Sequence, residues 1–336
     1  LKKISFFVAS LKYGVQGLYY LHAYLLEKML SRRNVRVKVL QVLYSSNQDP
    51  LITSKESKKA YKTSIHDTYC LYILNLLQLL QIASYSQEDV KLRAEKHLPT
   101  EDDKVFTPKL FENDIMQMVD SSEGFHKIYR KNKLHKLLDK DITKRLYQEF
   151  SKTEEYKNYI LNPNCTRENH RDTLLALYKS LTKNELFNEI LDDHFANWQE
   201  NKSLVVGAIK KTLKQEDSNP EFYNNYLPEK ETVEEYGAEL LHKYLQTEKD
   251  LEVLIEPNLN NWEIDRVAVI DKILLKMALC EFLHFETIPT KVTLNEYVEI
   301  SKAYSTPKSK EFINGILDKL KTILMEDGKI NKVERA

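Results

Sequence analysis

Seven glycines in 336 residues set the tightest limit on what this chain can fold into. Glycine supplies the positive-φ positions of tight β-hairpins and the bare backbone of phosphate-binding loops, so a chain this poor in it has few places to build either. The nine prolines fall mostly between stretches of helical apolar periodicity, where they end elements rather than interrupt them. The chain is therefore predicted to be all-α. Its length allows two or three domains, and 42% hydrophobic residues suffice to fill their cores.

Fifty basic residues balance fifty acidic ones, so any nucleic-acid surface has to be local. Cys70, Cys165 and Cys280 are isolated and form no C-x-x-C pair, which favours a reducing, cytoplasmic compartment. No G-x-S-x-G, Walker-type loop or Cys–His signature occurs, so hydrolysis, phosphoryl transfer and acyl chemistry have no support. A non-enzyme without cofactor is expected. Asp192, Asp193 and His194 lack a second ligand pair at helical spacing, and no metal site is expected there. Residues 4–26 are mostly apolar, but Lys12 and His22 interrupt them and no clean cleavage site follows. Residues 1–28 are read as an extension from a misassigned start ahead of Met29, the alternatives being a short membrane-associating helix or an ordinary extra helix.

The most specific stretch is 289–318, PTKVTLNEYVEISKAYSTPKSKEFINGILD. Thr293 with Glu296 has the spacing of a capping box, which predicts a helix from Leu294 with Leu294, Tyr297, Val298, Ser301 and Tyr304 inward. Thr306 then Pro307 repeats a start signal. The second helix carries Phe312, Ile313, Ile316, Leu317, Leu320, Ile323 and Leu324 as one stripe. Gly315 interrupts it and is expected to mark a close helix approach, and Gly328 is expected to cap the C-terminus.

The pattern P-x-K-V-x-L-N-E-x-V-E-I-S-K-x-Y followed by S-x-x-F-I-N-G-I-L-D-K resembles the NusB family of transcription antitermination factors. Residues 262–282, WEIDRVAVIDKILLKMALCEF, resemble that family's central helix with its Asp, Lys and Ala-x-x-Glu positions, and 236–260 the helix before it. Residues 32–44, RRNVRVKVLQVLY, resemble its arginine-rich N-terminal segment. Together these cover about 110 of the 336 residues. The resemblance implies a compact helical bundle that binds boxA-type RNA of ribosomal-operon leaders together with NusE, a small-subunit ribosomal protein, within an RNA polymerase antitermination complex, without catalysis and away from any membrane.

The expected organisation is a basic helix and a bundle helix over 29–95, an inserted helical region over 96–220, a NusB-like helical domain over 221–328 and a tail over 329–336. Residues 46–60 read as a linker, and 64–83 as a buried helix too short and too Gln-dotted to span a bilayer. The region 96–220 shows nothing of the family's pattern, with helical runs near 110–120, 125–160, 170–200 and 203–214. Arg32, Arg33, Arg36 and Lys38 are the candidate RNA-binding residues, since guanidinium forks grip phosphate oxygens in pairs and phosphate neutralisation dominates RNA affinity. As a helix, Arg32 and Arg36 share a face with Arg33 and Lys38 alongside, while Val35, Val39, Val42 and Leu43 turn inward; Gln41 is read as packing. The resemblance places the protein partner at Tyr44 and Asp271. Residues 127–145 carry eight Lys or Arg against two Asp around Tyr129, either an auxiliary RNA-binding helix or a solvated charge run. The competing readings of the whole are an accessory module for a ribosomal-RNA methyltransferase and a protein–protein scaffold.

Overall fold

A computed structural model describes residues 29–259 and 266–332; the extension 1–28 and the last four residues of the tail lie outside them. Every regular element among the described residues is helical. The chain forms α1 (Arg32–Gln48) and α2 (Ser54–Ala94), then α3 (Glu101–Val105), α4 (Lys109–Glu112), α5 (Asp114–Asp120), α6 (Glu123–Lys131), α7 (Lys140–Ser151) and α8 (Glu154–Leu161). α9 (Arg167–Leu181), α10 (Glu185–His194) and α11 (Trp198–Leu213) follow. A π-helical segment, Glu231–Ala238, leads into α12 (Glu239–Ile255), before α13 (Val269–His284), α14 (Thr290–Tyr304) and α15 (Ser309–Glu326).

The chain divides into two compact units: a central one containing His66–Leu227, and a split one made of Leu30–Ile65 and Pro228–Ala336. The boundaries expected at 95/96 and 220/221 both fall inside the central unit. The reason is burial: Tyr69–Leu74 and most of the following positions to Ala83 lie in that unit's core, as do Phe222 and Tyr226. The expected buried helix 64–83 is thus the middle of α2. Several of its polar side chains find partners inside the unit, with Tyr178 donating to Asn75 at 2.9 Å and the Tyr72 hydroxyl 2.9 Å from that of Thr212.

The 46–60 segment is a linker only over 49–53. Thr53 and Glu56 restart the helix reciprocally, the Thr53 N–H donating to the Glu56 carboxylate at 2.8 Å and the Glu56 N–H to the Thr53 hydroxyl at 3.3 Å, which satisfies two orphan donors at once. The same chemistry shortens the helices expected in the central unit. Asn113, Ser122, Asp139, Thr153, Thr166 and Asn184 each accept from a backbone N–H in the first turn of the helix that follows. Such side chains compete with continuing helix and favour starting a new one, so 125–160 and 170–200 break into pieces.

In the split unit α13 is buried from Ile273 to Phe282 and packs against α12, α14 and α15. α14 starts at Thr290, one turn before the expected Leu294, so Thr293 and Glu296 are interior helix positions and not a cap. α15 starts at Ser309 rather than at Pro307, with the Thr306 and Ser309 hydroxyls 2.8 Å apart in the preceding turn. Gly328 does end α15, at φ +64°. In the tail, Lys332 donates to the carbonyls of Glu281 and Phe285 at 2.7 and 2.8 Å, satisfying acceptors at the end of α13.

Gly315 marks no close approach: a Cβ built there meets nothing within 4 Å. In the split unit a close approach falls instead at Gly237 in the π-helical segment, where a Cβ would lie 2.1 Å from the Tyr61 hydroxyl and 2.2 Å from Val35 Cγ1, as one falls in the central unit at Gly124 against Tyr223. Tyr61 in turn donates to the Val233 carbonyl at 2.8 Å. Gly237→Ala is therefore expected to destabilise the split unit by about 1–3 kcal/mol through overpacking. Gly315→Ala, on an exposed helix surface, is expected to stabilise it by up to about 1 kcal/mol. Urea unfolding followed by circular dichroism should move the two variants in opposite directions; a shift of the same sign contradicts this packing.

Candidate RNA-binding site at the start of α1

Ser31 caps α1, its hydroxyl accepting from the Asn34 N–H at 3.3 Å. Arg32 and Arg33 therefore occupy the first helical turn, where backbone N–H groups already present positive charge. Two carboxylates from elsewhere in the unit offset this. Arg32 Nη2 lies 2.9 Å from Glu231, and Arg33 donates through Nε and Nη2 to Glu296 at 2.8 and 2.7 Å. Both arginines remain accessible, with side-chain exposures of 41% and 52%. They form the rim of a cleft of about 520 Å³ whose other wall is Thr287, Ile288, Pro289 and Val292.

Arg36 also lines this cleft but does not join the exposed rim. It is 2% exposed and turned into the unit, donating to both oxygens of Glu281 at 2.6 and 3.0 Å, with Nη1 3.5 Å from Glu296. Its guanidinium carbon sits 5.3 Å from the Tyr236 ring centre and 5.7 Å from that of Tyr297. Glu281, fully buried, also accepts from the hydroxyls of Tyr236, of Tyr297 at 2.9 Å and of Thr293 at 3.0 Å. Burial works against the charge on Arg36, yet the hydrogen bonds and charge of Glu281 outweigh it and hold the guanidinium pKa above its ordinary value. Burial foremost, reinforced by the same carboxylate, pushes both tyrosine hydroxyls well up. The expected shared face of Arg32 and Arg36 thus splits: one arginine lines the rim and the other is drawn to the only kind of partner that can neutralise it when buried.

Lys38 is also buried, at 3% exposure, whereas Val35, Val39, Val42 and Leu43 turn inward as expected. Tyr44 is 40% exposed and Asp271 only 5%. Both lie in the split unit, on helices that pack together. Asp271 accepts from the Ser309 hydroxyl at 2.6 Å through Oδ2, and its buried Oδ1 has no hydrogen-bond partner among the described residues. Sequence reasoning missed the counter-charges. Glu296 was read as half of a cap, Glu231 carried no signal, and Glu281 stood only as a pattern position. Asp192 accepts from Gln199 at 2.6 Å, and the described residues hold no cluster of His, Cys, Asp or Glu able to bind a metal ion. Among the described residues no helix is long and apolar enough to cross a membrane.

The Arg33–Glu296 pair has a defined pH window. The hydrogen bond from Arg33 holds the Glu296 carboxyl below its ordinary value of 4.5, so its contribution is present above that value and is lost as pH falls through the lowered one. The Arg36–Glu281 pair behaves differently, because both groups are out of water. Glu281→Gln leaves a buried guanidinium without its counter-charge and is expected to cost about 3–5 kcal/mol. The double substitution Arg36→Met with Glu281→Leu is expected to recover most of that loss, since replacing both partners of a buried pair by apolar groups is near neutral. Denaturant unfolding of the two variants checks this; equal destabilisation by both is the contrary result.

The NusB family model matches residues 200–322, a span that includes most of α11 and begins inside the region expected to show nothing of that family. The chain is 40% identical over 109 residues to the transcription antitermination protein NusB of Salinibacter ruber, covering 32% of this chain and 68% of that protein. Against NusB of Chloroherpeton thalassium the identity is 38% over 103 residues, or 31% and 49% of the two chains. Against NusB of Clostridium kluyveri it is 31% over 165 residues, 49% of this chain and 99% of that protein. No solved structure matches. With the all-helical fold and with the Salinibacter ruber and Clostridium kluyveri proteins matched over two thirds or more of their length, the chain belongs to the NusB family.

Proposed function

We propose that this chain is a transcription antitermination factor that binds boxA-type RNA of ribosomal-operon leaders at the start of α1, together with a NusE-type ribosomal protein in an RNA polymerase antitermination complex. The observation that carries the reading is the pair Arg32 and Arg33, held accessible at a helix N-terminus over an open cleft. Two guanidinium forks at the positive end of a helix suit phosphate. The apolar wall of Ile288, Pro289 and Val292 offers a nucleobase a surface to lie against. Arg36 enters the site as the residue that fixes α1 in place, not as a phosphate contact, and the burial of Lys38 assigns it no phosphate either.

The partner surface is assigned to the exposed ring of Tyr44 and the first turn of α13. Asp271 is 5% exposed with its Oδ1 buried, so it favours a basic protein through its negative charge rather than through a direct bond. Two modest interactions, one with RNA and one with protein, then reinforce each other when both partners are held together.

Replacing Arg32 and Arg33 by Ala is expected to weaken leader-RNA binding and to lower the slope of log K against log salt by about 1.4, at 0.7 per single-strand phosphate contact, with helicity retained. Glu296→Gln is expected to act oppositely. It removes the carboxylate that competes for Arg33 and should tighten RNA binding by several-fold, an order-of-magnitude figure for freeing one charge-assisted bond. Fluorescence anisotropy with a boxA-containing leader RNA, across a salt series and with and without the ribosomal protein, reads both effects. An arginine variant with unchanged slope rejects the site.

A further inference from the structure

The segment 127–145, with eight Lys or Arg against two Asp, is not a single helix. α6 stops at Lys131, Lys133 takes the left-handed conformation at φ 59°, a 3₁₀ turn covers Leu134–Leu137, and Asp139 caps α7. The reversal folds the 3₁₀ turn back on α6, bringing the Tyr129 and His135 rings to 6.3 Å between centroids. Leu134 is buried and anchors the turn, while Arg130, Lys131, Lys133, Lys136, Lys140 and Lys144 stay exposed.

These six side chains differ from many exposed cations elsewhere in the protein. Lys104, Lys157 and Lys321 each meet a carboxylate one turn earlier, at 2.6, 2.7 and 2.6 Å. Among the described residues none of the six is paired with a carboxylate, and Asp141, three positions before Lys144, makes no ion pair with it. Asp139 is engaged as a cap, accepting from the N–H groups of Asp141 and Ile142 at 2.8 and 2.9 Å. The result is a turn that gathers uncompensated positive charge in a chain whose net charge is zero.

We propose that this turn, between α6 and α7 of the central unit, is a second binding surface for the phosphates of single-stranded RNA. A polyanion that neutralises such charges gains by releasing its condensed counterions, and flexible lysines suit a backbone track that reads no sequence. The aromatic content points to a single strand rather than a duplex. The half-buried Tyr129 ring is flanked by His126 at 5.4 Å between centroids, by His135 and by the Arg130 guanidinium at 5.9 Å, a stacking platform beside cations. The surface belongs to the central unit, whereas the start of α1 belongs to the split unit. The inference rests on the reading of the chain as an RNA-binding protein.

The test uses the full chain, a 20-nucleotide oligouridylate with no boxA element, and a boxA-containing leader RNA extended by such a tract. The variant combines Lys131→Gln, Lys136→Gln and Lys140→Gln with Lys133→Asn, since asparagine tolerates the left-handed position. Binding of the extended leader RNA should weaken at least about tenfold at low salt, with the salt slope reduced by about 2–3. Oligouridylate binding should fall in parallel, and Lys→Arg at 131, 136 and 140 should retain both. If the combined variant loses helicity, Lys131→Gln and Lys136→Gln singly should each lower the slope by about 0.7. Wild-type binding with an unchanged slope in the variants overturns this surface and leaves the α1 reading intact, whereas failure of the wild-type chain to bind either RNA overturns both. Polyglutamate serves as a third probe: loss of its binding in the variant with RNA binding unchanged assigns the turn to an acidic protein and likewise overturns the proposal.

Discussion

The split unit is organised around one buried carboxylate. Glu281 accepts two bonds from Arg36 and one each from Tyr236, Tyr297 and Thr293, so α13, α1, the π-helical segment and α14 converge on two oxygen atoms. A buried ion pair seldom adds net stability over a well-packed apolar core. Its effect here is directional: five donors with fixed geometry leave little freedom in how α1 is rotated about its axis or how far Tyr236 reaches inward. The π-helical segment that carries Tyr236 also carries Gly237, whose missing side chain lets Val35 of α1 and Tyr61 of α2 approach the backbone. The ion pair and the glycine thus fix the same contact from two sides.

That anchoring sets the electrostatics of the exposed end of α1. With Arg36 turned inward, Arg32 and Arg33, one turn earlier, are left at the rim, and each finds a carboxylate whose bond to it is exposed to solvent. Exposed pairs of this kind contribute little to stability, so exchanging Glu231 or Glu296 for a phosphate costs little. Glu296 touches both Arg33 and, more distantly, Arg36, which makes it the residue through which the buried pair and the rim communicate. A single acidic position on α14 therefore tunes how much positive charge α1 presents.

The central unit follows a different logic. Among the described residues its core cluster is apolar and aromatic, and the ion network of Arg93 with Asp89 and Asp103 stays partly exposed. An apolar stretch of α2 is surrounded by short helices, most with a side-chain cap from Ser, Thr, Asn or Asp, and their inward aromatic and aliphatic side chains fill the core. Short capped helices let the backbone turn often without glycine, which is how a chain with seven glycines wraps so many elements. They also leave connecting turns such as 132–139, where one left-handed lysine, rather than a glycine, reverses the chain.

Periodicity and composition by themselves determined the all-helical class, the buried middle of α2 and the glycine that ends α15, because each depends on neighbours within a turn or two along the chain. Residues 35–40, by contrast, alternate like a strand, and only the family resemblance made that segment a helix with Val35, Val39, Val42 and Leu43 inward. The family was legible from motifs at 289–318 and 262–282, where residues that meet in space also lie close in sequence. What sequence reading placed wrongly depended on partners far along the chain. Arg36 looked like a surface cation until Glu281, 245 positions later, supplied a buried counter-charge. Thr293 and Glu296 had the spacing of a cap, but their oxygens turn to Glu281 and to Arg33 instead. Gly315 and Gly237 are identical in kind, and only packing decides which of them leaves room for a neighbour. Local chemistry chose the elements, and long-range burial chose which charges remain at the surface, since a charge can leave water only where its partner has already been placed.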